Sequence, residues 1–143
     1  MEEPDFVVVP GNPFDTTVES LDPLLAQLRQ EGSTAEVRVR EERGYGVTFI
    51  EVVLLYVAYK AMDKVVDRAL DRTVDKAESA GTRWWAKRRL ERRNRPATVL
   101  ICDEDGNVLR SLECRPEDVT PLRSDAAKFD KRLPLPPATA EEV

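Results

Sequence analysis

Histidine is absent from all 143 residues. That absence removes the usual general base at neutral pH, the commonest metal ligand and every Ser/His or Cys/His nucleophilic mechanism. Cysteine is scarce, with Cys102 and Cys114 the two present. They flank the turn-forming stretch Asp103–Asn107. A hairpin centred on Asp105-Gly106 sets Cys102 opposite Leu109 and Cys114 opposite Ala97, so the two read as reduced, buried thiols and not as a cross-strand disulfide. Long apolar runs are scarce as well. The strongest, VTFIEVVLLYVAY over Val47–Tyr59, is shorter than the ~18 residues a spanning helix needs and carries Glu51 inside it. It reads as a buried helix; the other reading is interfacial attachment together with the Trp/Arg segment described below. The start, MEEPDF, is acidic, with neither a basic n-region nor an apolar h-region, which points to a cytoplasmic protein.

What is present is charge, unevenly placed. The net charge is −5, yet residues 83–95, RWWAKRRLERRNR, carry seven basic residues against one acid, a local +6 that leaves −11 on the rest. Such a segment either binds an anionic surface or folds onto the acids of its own chain. Upstream of it, residues 61–76 read AMDK-VVDR-ALDR-TVDK, four tetrads in which Asp is followed by Lys or Arg. A period of four overshoots a helical turn by about 40°, so the apolar pairs wind by about 120° over three steps instead of forming a straight coiled-coil seam. The Asp row (63, 67, 71, 75) and the basic row (60, 64, 68, 72, 76) meet at i,i+3, as in Arg72 with Asp75, at about 0.2–0.5 kcal/mol per pair. The plain reading is a solvated face on a core helix; the sharper one is a helix with more apolar surface than one small sheet covers.

Along the chain, Asp5–Pro10 reads as a short strand, and residues 20–31 as a helix with Leu21, Leu24, Leu25 and Leu28 on one face, Pro23 in its first turn and Gly32 closing it. Ala35–Glu42 alternates as a half-buried strand. Gly44-Tyr45-Gly46 turns the chain into a long helix, Val47 to about Ser79. Gly81 then interrupts, and a second helix runs from Thr82 to Arg93 until Pro96 stops it. Ala97–Cys102 and Val108–Cys114 form a hairpin across DEDGN. A short helix after Pro121 and a Pro-rich extended tail, Leu133–Val143, complete the chain. The expected fold is an α/β (α+β) sandwich. A sheet of about four strands is packed by a leucine-rich helix, a long amphipathic helix and a basic Trp-containing helix. The domain covers residues 1–115, and 116–143 form a partly disordered or extended C-terminal extension.

Motifs that could carry chemistry fail on inspection. A calcium loop starting at Asp103 needs Gly at position 6 and Glu at position 12, where Val108 and Cys114 stand. Gly44-Tyr45-Gly46 lacks the third glycine of a dinucleotide fingerprint and the Gly-Lys-Ser/Thr of a P-loop. Asp63, Asp67, Asp71 and Asp75 each have a cation beside them and no histidine to join them as metal ligands. No catalytic, cofactor or metal residue is expected. The Trp/Arg segment mixes aromatics with cations, the composition of a contact with nucleic acid, an anionic membrane or a protein. Against that stands plain packing, with Trp85 and Leu90 docked in the core and the arginines laid over them. Overall acidity argues against free nucleic acid.

The succession LDPLLAQLR, AEVRVRE, a long apolar stretch, RWWAKRRLERR and ATVLICDEDGNVL, over about residues 20–114, resembles the effector-associated constant component family. These are small bacterial modules of conflict and defence systems. The resemblance implies a non-enzymatic adaptor without assigned catalytic residues, bound to an effector protein of the same system. The residues and the resemblance together lead to an adaptor that binds an effector protein or a second copy of itself. The contact residues expected are Trp84, Trp85, Arg88, Arg89, Arg92 and Arg93 on the basic helix and Val66 and Leu70 on the long helix. The alternative is a peripheral membrane-surface or nucleic-acid-binding protein using the Trp/Arg helix.

Overall fold

A computed structural model describes residues 4–11, 19–39, 51–58, 67–92, 95–124 and 135–136. They contain the strands β1 (Phe6–Pro10), β2 (Ala35–Val37), β3 (Glu51–Val57), β4 (Ala97–Cys102), β5 (Val108–Cys114) and β6 (Leu122–Ser124). They also contain the helices α1 (Asp22–Gln30), entered through a 3-10 turn at Glu19–Leu21, and α2 (Asp67–Arg92). The strands form one mixed sheet in the order β2-β1-β3-β4-β5-β6. β1 runs parallel to β2 and antiparallel to β3, β3 runs parallel to β4, and β5 and β6 each run antiparallel to the strand before them. The two parallel joins are the two crossovers, β1-α1-β2 and β3-α2-β4, as parallel pairing requires. The α+β class stands; the sheet has six strands among the described residues where about four were expected.

The largest correction falls on Val47–Tyr59. Its described part is not a helix but β3, beside β1 and β4 in the middle of the sheet. Val53, Leu55 and Val57 enter the core under the helices, while Val52, Leu54 and Tyr56 enter a second apolar cluster on the opposite side. A strand buried on both faces reads as an unbroken apolar run with no alternation, so periodicity cannot separate it from a buried helix. The β-branched and aromatic content of the run is the cue that favours the strand.

The second correction is at Gly81. One helix, α2, runs through it, where two helices had been expected. A Cβ at Gly81 would stand 3.1 Å from Leu112 Cδ1 and 3.7 Å from Val99 Cγ1. The glycine is there because the helix lies almost directly on β4 and β5, with Ala77 and Ala80 buried beside it. Packing thus offsets the ~1 kcal/mol that glycine costs inside a helix. Gly81→Val is expected to destabilise the fold by about 1–3 kcal/mol through overpacking, measured by urea unfolding.

Other differences are local. β2 ends at Val37, short of Glu42. After Pro121 the chain forms β6, which pairs with β5 at Ser111–Ser124 and Glu113–Leu122, so the sheet continues past residue 115. Residues 40–50, 59–66, 93–94 and most of the Pro-rich tail lie outside the described residues, and with them Gly44-Tyr45-Gly46 and the first six tetrad positions.

The hairpin follows the reading of DEDGN. The Asp103 carboxylate accepts from the backbone N–H groups of Asp105 (3.0 Å) and Asn107 (2.9 Å) and from Asn107 Nδ2 (2.9 Å). Cys114 lies opposite Ala97 as expected. A register shift between Ile101 and Cys102 places Cys102 opposite Val108 instead of Leu109, and both thiols are buried and outside any disulfide. Leu21 of the 3-10 turn and Leu24, Leu25 and Leu28 of α1 face the core, and Gly32 after the helix has φ 88° with open space around it. Gly32→Ala should therefore cost about 1 kcal/mol from backbone strain alone, read as a lower thermal midpoint by circular dichroism.

Candidate interaction surface

The basic Trp segment lies on the C-terminal half of α2, and the structure turns its two tryptophans inward. Trp84 is 2% exposed and Trp85 0%. Their rings are tilted at 47° with centroids 6.5 Å apart. Each buried indole N–H has a partner: Trp84 donates to the Ser20 carbonyl at 3.2 Å, and Trp85 donates to the Asp118 carbonyl at 3.0 Å. Both tryptophans are pegs joining α2 to distant loops, and neither is open to a partner.

The arginines beside them are only partly open. Arg89 donates to the Pro116 carbonyl from both Nε (3.2 Å) and Nη2 (3.0 Å), which clamps the same loop that Trp85 holds. Arg88 is half-buried and pairs with Glu91 at 3.1 Å. Leu70 and Arg92 lie on α2, and their side chains are outside the described set, as are Val66 and Arg93 altogether. Of the eight expected contact residues, Trp84, Trp85 and Arg89 serve as packing and clamps within the fold, and Arg88 pairs along the helix with Glu91.

The surface that α2 does offer is on its other side. Arg72, Lys76, Arg83 and Lys87 are exposed, and Leu90 is 69% exposed. At 100° per residue, the steps of four, seven and four between the cations keep all four within an arc of about 60°, over about 22 Å of helix. Arg83 is steadied by α1, where Gln27 Oε1 accepts from its Nη1 at 3.3 Å.

Asp75 is the tetrad acid whose side chain is described, and it reaches toward the sheet. Asp75, expected to pair with Arg72, instead accepts from Arg110 of β5 at 2.7 Å, and Glu78 accepts from the same Nη1 at 2.7 Å. Arg123 of β6 reaches Glu78 at 3.5 Å. Burial by itself would lower the Arg110 pKa. The hydrogen bonds and charges of Asp75 and Glu78 outweigh it, and the net shift is upward. Asp75 and Glu78 thus have a cation of the sheet as partner, and beside them Arg72, Lys76, Arg83 and Lys87 face solvent on a protein that is acidic overall.

A helix end at Gly81, as the sequence suggests, would split this row in two. With one continuous helix, the 4-7-4 spacing of Arg72, Lys76, Arg83 and Lys87 is legible directly. Among the described residues, no group of three or more His, Cys, Asp or Glu side chains could hold a metal ion, and no helix is long and apolar enough to cross a membrane. Comparisons with protein-family models, curated proteins and solved structures found no match to this chain.

Proposed function

We propose that this protein is a non-enzymatic adaptor that meets an acidic surface of a protein partner through the outward row of α2. The observation that carries this reading is the set of Arg72, Lys76, Arg83 and Lys87 on one helical face beside the exposed Leu90. Cations around one apolar contact suit a partner with an acidic rim, since charge complementarity sets orientation and encounter rate while the apolar contact slows release. The resemblance to the effector-associated constant component family makes that partner an effector protein of a bacterial conflict system. A second copy of this chain carries the same cations and would meet like charge there, which favours the effector.

The test is a fourfold charge reversal, Arg72→Glu, Lys76→Glu, Arg83→Glu and Lys87→Glu. It should abolish co-purification with the effector encoded beside it while the far-ultraviolet circular dichroism is unchanged; retained co-purification overturns the reading. The membrane and nucleic-acid alternative is separated by titrating the wild type with anionic vesicles and with duplex DNA over a salt series. Four phosphate contacts would give a log–log salt slope of about −3.6 on DNA. Such a slope at physiological salt assigns the row to nucleic acid, and vesicle binding lost at high salt assigns it to a membrane.

A further inference from the structure

The side of the sheet away from the helices is apolar across β1, β3 and β4, where Val7, Val9, Val52, Leu54, Tyr56 and Leu100 are buried. Leu135, from the Pro-rich tail, packs against this cluster. Within Pro134–Pro137, Leu135 carries the one backbone N–H, because proline has none. That N–H donates to the Glu104 carbonyl in the hairpin turn at 2.9 Å. The next carbonyl, of Pro136, accepts from Arg38 Nη1 at 3.0 Å.

Arg38 is itself held in place. Its side chain is 13% exposed, its Nε donates to Glu36 Oε2 at 2.7 Å, and its backbone N–H donates to the Val8 carbonyl at 3.1 Å. Leu135 shares one hollow with Pro4, Val7, Arg38, Tyr56, Ala58 and Glu104. A residue before proline is restricted to extended conformations, and a Pro-rich segment is already stiffened toward polyproline II, so little freedom is lost on docking.

We propose that this hollow is part of a peptide-binding groove for a proline-flanked leucine, and that the chain's own Leu135-Pro136 occupies it in cis. The groove reads three things: a peptide N–H that donates to the Glu104 carbonyl, a peptide carbonyl that accepts from Arg38 Nη1, and one apolar side chain against Val7 and Tyr56. A partner bearing the same Leu-Pro chemistry has to displace the tail, so the tail sets a threshold for binding on this face. The groove lies on the opposite side of the sheet from α2 and does not depend on the cationic row.

The full-length chain provides the test. The Leu135 amide should exchange with solvent at least about tenfold more slowly than in a free peptide of the same sequence, and Arg38→Ala should remove most of that protection without changing the amides of β4. Leu135→Asp should vacate the groove. A peptide of residues 131–138, KRLPLPPA, should then shift the resonances of Val7, Tyr56 and Glu104 in that variant, and bind the wild type at least about tenfold more weakly because the tethered segment competes. Free-peptide exchange at Leu135 of the wild type overturns the proposal, a measurement that needs no variant to fold. So does a peptide that shifts neither protein, or both equally.

Discussion

Trp85→Ala should lower the unfolding free energy by about 3–5 kcal/mol, the largest loss expected from any truncation on α2. Trp85 is fully buried, so removing the indole forfeits its transfer free energy and leaves a cavity that a helix lying directly on a sheet cannot collapse to fill. It also leaves the Asp118 carbonyl without its donor, and Arg89 then holds that loop alone through Pro116. Against a total stability of about 5–15 kcal/mol for a domain of this kind, the loss is severe. Trp85→Phe keeps most of the ring and loses the N–H, and should cost less, about 1–2 kcal/mol. Urea unfolding followed by circular dichroism measures both, as a lower midpoint at unchanged slope. A Trp85→Ala midpoint equal to that of the wild type would mean that the side chain is outside the core, and would return it to the contact surface.

Leu55→Asp should abolish cooperative folding. Leu55 is fully buried in the middle of β3, with Val8 of β1 and Ile101 of β4 in register on either side and all three in the core under the helices. A carboxylate there either stays ionised without a cation or is protonated at the expense of its hydration. Either costs several kcal/mol, comparable with the whole stability of the domain. Val39→Asp, at a position 41% exposed just beyond β2, is the matched control and should change stability by no more than about 0.5 kcal/mol. Thermal melts of the two variants separate the expectation from its failure: a sharp Leu55→Asp transition near the wild-type midpoint would remove β3 from the centre of the sheet.

The elements that were legible in the sequence are those whose signals are local. DEDGN carries its own turn chemistry in Asp103 and Gly106, so the hairpin and the Cys114–Ala97 pairing follow from it. α1 shows its buried leucines at helical spacing, Pro23 at its start and Gly32 after its end. The Cys102 register was missed by one residue because a bulge depends on both strands and has no sequence mark of its own. β6 differs from the helix that the sequence after Pro121 suggests, because three residues at a sheet edge carry too little pattern to outweigh a proline just before them.

By itself, the sequence determined the absence of histidine chemistry, the helical character of residues 67–92, the β4-β5 hairpin and the concentration of positive charge near Trp84. Those properties depend on composition and on residues a few positions apart. The tertiary structure decided what each of them faces. An apolar run becomes a central strand only when both of its sides meet apolar surface, as Val53 and Leu54 do. Gly81 becomes a contact point instead of a helix end because Leu112, far along the chain, stands against it. The tryptophans turn inward, where the carbonyls of Ser20 and Asp118 receive their N–H groups, and Asp75 and Glu78 of α2 find their cation in Arg110 of β5. Each of these outcomes rests on partners tens of residues away, brought together by burial that is cooperative across the sheet, and no window of sequence contains both halves of such a contact.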